Sequence, residues 1–175
     1  MRKLLVLTLL FLPVMLTAGV NEDFIKAVKK GNIKQTEKLL IKGADIQTRD
    51  KSEGFQYGET ALIIAATEGN LNMVKFLLSK GADPNITNEG FSALGYASGS
   101  GYLDVVKILV EKGADVNVVD GNGFTPLIMA AADGHEGIVT YLIQNGADKN
   151  YKNSEGKTAL DYTKNSNIKS ILTSE

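Results

Sequence analysis

Apolar residues along most of this chain fall into short helical stripes, arranged in pairs and separated by glycine. The pattern is clearest between Gly123 and Gly146. There, Leu127, Ala130 and Ala131 follow Thr125 and Pro126, which suit an N-cap and a first helical turn. The spacing predicts a helix that Gly134 ends in the left-handed conformation. Ile138, Val139, Leu142 and Ile143 predict a second helix from about Glu136 to Gln144, closed by Gly146. Ala147 and Asp148 then begin a return loop. Such a unit cannot bury its apolar stripe alone, so it must stack on neighbours.

The neighbours are present in the sequence. Gly-Ala-Asp recurs at Gly43–Asp45, Gly81–Asp83, Gly113–Asp115 and Gly146–Asp148. A Thr/Ser-x-Leu signal recurs at Thr60, Ser92, Thr125 and Thr158, a nearly constant period of about 33 residues. The stretches from Gly58 to Gly81, from Gly90 to Gly113 and from Gly123 to Gly146 are equal in length. The linking loops vary instead: the loop from Gly43 to Gly58 is the longest and that from Gly81 to Gly90 the shortest. Changes in length fall where a solenoid tolerates them.

The period and the Thr-Pro-Leu start resemble the ankyrin-repeat family, whose pattern includes T-P-L-H-x-A. The resemblance covers nearly everything after residue 20. It implies an all-α solenoid of stacked helix-turn-helix repeats with β-hairpin finger loops. The expected repeats are 21–49, 50–86, 87–119, 120–152 and a truncated cap over 153–175, within a domain of residues 20–175. In the first unit Asn21 is expected to cap the opening helix, with Glu22 and Asp23 at the positive end of its dipole. In the last, Ile171 and Leu172 stand one full period after Ile138 and Val139 and are expected to fill their places.

The N-terminus adds a second expectation. Arg2 and Lys3 precede an apolar run from Leu4 to Leu16, and Thr17, Ala18 and Gly19 follow. These are the parts of a secretory signal, read as residues 1–19 with cleavage after Gly19. The run is short for a membrane span and Pro13 interrupts it, although an uncleaved anchor is the alternative. Removing Arg2 and Lys3 leaves 17 basic residues against 20 acidic ones, of the 19 and 20 in the whole chain. A weakly acidic chain offers no electrostatic case for nucleic acid. It has no cysteine, so an exported form could not rely on disulfides.

Candidate chemistry is sparse. His135 is the single histidine, at the position held elsewhere by Asn32, Asn70 and Tyr102, and reads as polar closure of the turn between helices. With one histidine and no cysteine, Cys/His zinc sites and Cys/His catalysis are excluded. Asp45, Asp83, Asp115 and Asp148 recur at one place and read as loop-forming residues. The Asp115–Gly121 stretch fits a calcium loop poorly, since Val119 falls at a ligand position. Asn85-Ile-Thr87 is a formal glycosylation sequon, but Asn85 shares its place with Asn117 and Asn150. No catalytic, metal-binding or cofactor-binding residue is assigned.

The residues the repeat leaves free carry the functional expectation. In the family, finger tips and the exposed ends of first helices line a concave binding surface. The resemblance places a partner on Phe55, Tyr57, Glu59, Asn88, Glu89, Phe91, Ser100, Asn122, Phe124, Asp133, Glu155 and Lys157. Phe55 and Tyr57 lie in an extension of the first finger and read as binding residues. Phe91 and Phe124 admit two readings, partner anchors or packing against a neighbouring finger. The lysines of the first unit, interleaved with Glu22, Asp23 and Glu37, read as a solvated face. The expected protein is a monomeric, non-enzymatic scaffold of exported bacterial type, periplasmic or secreted, that binds a protein partner. No nucleic acid and no membrane span after signal cleavage is expected. The alternatives are a cofactor-handling protein, holding haem through His135, Tyr96 or Tyr102, and a toxin-neutralising protein.

Overall fold

A computed structural model describes residues 19–50, 58–88 and 90–174. The segment before Gly19, expected to be a secretory signal, lies outside the described residues together with Phe55, Tyr57 and Glu89. The described chain forms α1 (residues 19–29), α2 (Ile33–Ile41), β1 (Arg49–Asp50), β2 (Glu59–Thr60), α3 (Ala61–Thr67) and α4 (Leu71–Ser79). It continues with β3 (Thr87–Asn88), β4 (Phe91–Ser92), α5 (Ala93–Gly99), α6 (Leu103–Glu111), α7 (Pro126–Ala132) and α8 (Glu136–Gln144). The last helices are α9 (Ala159–Tyr162) and α10 (Ser166–Thr173).

Local chemistry sets the boundaries. Thr60, Ser92 and Thr125 each accept the backbone N–H three residues on, opening α3, α5 and α7. Pro126 occupies the first turn of α7, where it has no N–H to lose. The inner helices stack α3 on α5, α5 on α7 and α7 on α9. The outer ones stack α4 on α6, α6 on α8 and α8 on α10. Between the layers lie Leu62, Leu94 and Leu127 from inner helices and Leu77, Leu109 and Leu142 from outer ones, all essentially inaccessible. Alanines at 65, 66, 97, 130 and 131 let the helices approach closely.

Among the described residues, the first two fingers are antiparallel hairpins. Arg49 pairs with Thr60 and Asp50 with Glu59; Thr87 pairs with Ser92 and Asn88 with Phe91. The next two are turns without strands. Asp120 N–H bonds Phe124 C=O at 2.9 Å, and Asn153 N–H bonds Lys157 C=O at 2.9 Å. Three residues, 121–123 and 154–156, stand between the bonded backbones of these two turns, where the second finger has two.

Two terminal features differ from the sequence expectation. Asn21 is not an N-cap, because the helix already includes residues 19 and 20. Its Oδ1 instead accepts the Asp45 N–H at 2.8 Å. In the fifth unit α9 has four residues where α7 has seven, one turn fewer. The following helix therefore slips by three residues. Ile168 and Leu172 are buried and Ile171 only half so, which makes Ile168 the counterpart of Ile138 and Leu172 that of Leu142. Asp161 caps the start of the shortened helix by accepting from Thr158 N–H and Oγ1 at 2.8 and 2.9 Å. Those hydrogen bonds, backbone first, hold its carboxyl below the ordinary aspartate range.

A side-chain ladder joins successive return loops. Asp45, Asp83, Asp115 and Asp148 each accept the N–H two residues on at 2.9 Å, fixing the turn. Asn85 then accepts Asp115 N–H at 2.8 Å and donates to Gly113 C=O at 3.0 Å. Asn117 repeats both bonds to Asp148 and Gly146, at 2.8 and 3.0 Å. Asn21 supplies the acceptor half for the first unit, and Gln47 donates to Gly81 C=O at 3.4 Å. The sequon asparagine thus has both ends of its amide committed within the fold. Asn117→Ala removes two such bonds and is expected to cost about 1–2 kcal/mol. Asn117→Asp keeps the acceptor and should cost about half as much, read from urea midpoints.

Candidate interaction surface

The exposed ends of the inner helices and the finger tips form one edge of the stack. Glu68, Ser100 and Asp133 hold the C-cap positions of α3, α5 and α7. Ser100 and Asp133 are exposed, and so are Asn122, Glu155 and Lys157 at finger tips. An acidic residue at a helix C-terminus opposes the helix dipole, so the fold itself gains nothing from Asp133. An added Cβ on Gly99 would lie 3.4 Å from the Asp133 carboxylate. The side chain of Asp133 therefore leans over the small residues at the end of α5.

Other expected site residues are placed differently. Asn88 is 0% exposed and cannot meet a partner directly. Glu59 is half-buried in β2. Phe91 and Phe124 are half-buried and committed to packing. Phe91 stacks on Tyr96 with centroids 5.4 Å apart, and Phe124 meets the edge of Tyr162 at 5.1 Å. Each aromatic thus belongs to a finger–helix pair.

Around Tyr162 the last finger is tightly organised. Lys157 Nζ lies 2.7 Å from Glu155 and 5.5 Å from the Tyr162 ring centre. Asn153 Nδ2 donates to the Tyr162 hydroxyl at 2.6 Å. Hydrogen bonding and attraction to Lys157 lower the Glu155 carboxyl from its ordinary range, and the same pair raises Lys157. Both groups are exposed, so this pair contributes little to stability.

His135 does not close the turn of its own unit. It stands at the N-cap of α8 without a side-chain cap bond, and its Nε2 lies 2.8 Å from Gly99 C=O of the preceding unit. Tyr102 occupies the same place one unit earlier, with its ring against Gly69. Asn32 and Asn70 instead accept from Gln35 and Met73 N–H and cap α2 and α4. Asn70 caps its own helix and also sets its amide nitrogen beside Gly31 of the preceding unit, where Tyr102 and His135 set rings beside Gly69 and Gly101.

Sequence reasoning missed the roles of Arg49, Tyr96 and Tyr162. Arg49 Nη1 donates to Gly58 C=O at 3.1 Å and to Thr87 C=O at 3.0 Å, tying the first finger to the second. The two tyrosines lie four residues after Ser92 and Thr158, and that offset from an N-cap was the available signal. Among the described residues there is no group of three or more His, Cys, Asp or Glu that could hold a metal. No described helix is long and apolar enough to cross a membrane.

The fold and this edge define a stacked helical-repeat scaffold that presents a ridged, partly acidic surface. The pattern of ankyrin repeats in three copies matches residues 24–120, and a second ankyrin-repeat pattern matches residues 109–162. The chain belongs to the ankyrin-repeat family. It is 43% identical over 72 residues to Notch-regulated ankyrin repeat-containing protein A of Danio rerio, covering 41% of this chain and 63% of that protein. The Xenopus tropicalis Notch-regulated ankyrin repeat-containing protein is 39% identical over 79 residues, covering 45% and 68%. Ankyrin repeat, SAM and basic leucine zipper domain-containing protein 1 of Ovis aries is 38% identical over 69 residues, covering 39% of this chain but only 14% of the relative. Ankyrin repeats generally mediate protein–protein interaction.

Proposed function

We propose that this protein is a non-enzymatic scaffold, exported across a membrane, that binds one protein partner along the edge formed by inner-helix ends and finger tips. The observation that carries the reading is Asp133. It is exposed, stands against the dipole of α7 and leans over the small end of α5, a placement folding does not require. Export rests on the Arg2–Gly19 pattern alone. The stack is pre-organised, so little ordering entropy opposes binding.

The partner would be taken by crosslinking from the envelope fraction, with N-terminal sequencing of the mature chain alongside. Ser100→Arg with Asp133→Arg should abolish its capture and leave the melting temperature unchanged or slightly higher, because arginine suits a helix C-terminus. Capture that survives this pair would move the surface elsewhere, with the lysine-rich first unit as the next place to look. A mature chain that still begins at Met1 would refute export by cleavage. Phe91 and Phe124 are unsuitable for this test, since replacing them also removes packing on Tyr96 and Tyr162.

A further inference from the structure

Asp50, Asn88, Asp120 and Asn153 each stand at the same offset from the glycine that follows an outer helix, so they hold one place in four successive fingers. At both ends of the series the side chain is engaged. Asp50 lies 2.7 Å from Lys29 Nζ. Asn153 Oδ1 accepts from Glu155 and Lys157 N–H, both at 3.0 Å, and its Nδ2 donates to the Tyr162 hydroxyl. The two middle positions differ. Asp120 Oδ1 accepts from Asn122 and Phe124 N–H at 2.9 and 2.7 Å, while its Oδ2 is buried with no partner among the described residues. Asn88 is buried with neither amide atom partnered among them.

The sequence differs at both positions. The finger of Asn88 is one residue shorter than that of Asp120. Met129 stands four residues after Thr125, where Tyr162 stands four after Thr158, so Asp120 meets no corresponding hydroxyl. The two middle fingers also touch. A Cβ added to Gly90 would lie 2.3 Å from Gly121 N and 3.0 Å from Asp120 Cα. Asn88 pairs with Phe91 immediately across the loop that contains Gly90. Buried polar atoms in folded proteins are nearly always satisfied, by protein or by ordered water.

We propose that the second and third fingers enclose an ordered internal water that donates to Asp120 Oδ2 and bonds the Asn88 amide. At Asn153 the corresponding side-chain atom, Nδ2, donates instead to the Tyr162 hydroxyl. Water suits this set because it both donates and accepts: Asp120 Oδ2 and Asn88 Oδ1 need donors, and Asn88 Nδ2 needs an acceptor. A bare cation would satisfy the two oxygens and repel the amide N–H.

A crystal structure of the wild-type protein that resolves ordered solvent, with a parallel rubidium soak, is the direct test. The expected result is a peak within hydrogen-bond distance of both Asn88 and Asp120 Oδ2 and without anomalous signal. In solution, oxygen-17 relaxation dispersion should show one long-lived water fewer in Asn88→Leu than in wild type. An anomalous rubidium peak would replace the water with a cation site. A direct Asn88–Asp120 bond with no solvent between them would overturn the proposal outright.

Discussion

Leu109→Ala is expected to lower the free energy of unfolding by roughly 2–5 kcal/mol, the cost of a large cavity in a core that cannot fully collapse. Leu109 is 0% exposed and sits in α6, the outer helix that packs on both α4 and α8. In a stacked-repeat protein, stability is a sum of unit terms and nearest-neighbour terms. A hole in the third unit weakens its own two-helix packing and both of its junctions. Urea unfolding of the variant and of Ile41→Ala makes the comparison, since Ile41 is 83% exposed and its truncation should stay within about 0.5 kcal/mol. A near-neutral Leu109→Ala would mean that α6 does not present this face to the core.

Gly90→Ala is the second large effect, and a matched control isolates its cause. Gly90 and Gly113 have nearly the same backbone, with φ of 90° and 87°, so an added Cβ meets the same left-handed penalty at each. At Gly113 nothing lies within 4 Å of that Cβ, whereas at Gly90 it strikes the backbone of Gly121 and Asp120. A side chain in the way could rotate, as the His135 ring beside Gly101 could; a neighbouring backbone cannot. Gly90→Ala should therefore cost about 1–3 kcal/mol more than Gly113→Ala, the usual scale of overpacking. Equal losses at the two sites would show that the second and third fingers are free to part.

What the sequence revealed and what it hid divide along a physical line. Thr125, Pro126, Gly134 and the bounds of α8 were legible because caps and helix-ending glycines act within four residues of themselves. The side chains that join units were not. Asn21 serves Asp45, His135 serves Gly99 and Arg49 serves Thr87, over separations of 24, 36 and 38 residues. At those distances a loop shorter by one residue decides which group meets which. Asn88 was expected at the surface because it flanks a finger tip. It is fully buried, in a finger whose Gly90 abuts the backbone of Asp120 and Gly121. The slip in the fifth unit was hidden for a similar reason. Ile168 and Ile171 both fit a helical stripe, and only the loss of a turn from α9 selects Ile168. Phe91 and Phe124 were left open by the sequence; their rings pack on Tyr96 and Tyr162, contacts made by residues four places past an N-cap.

The amide ladder has a mechanical consequence. Asn85 and Asn117 each fasten one return loop to the next by two bonds running in opposite senses, and successive links begin from different residues. Neither link spans more than one junction, so these bonds act as rivets along a single seam. A sheet of slats riveted along one seam resists stretching there and opens like a fan at its free margin. Cutting one rivet at Asn117 should therefore soften that junction and leave the one held by Asn85 unchanged.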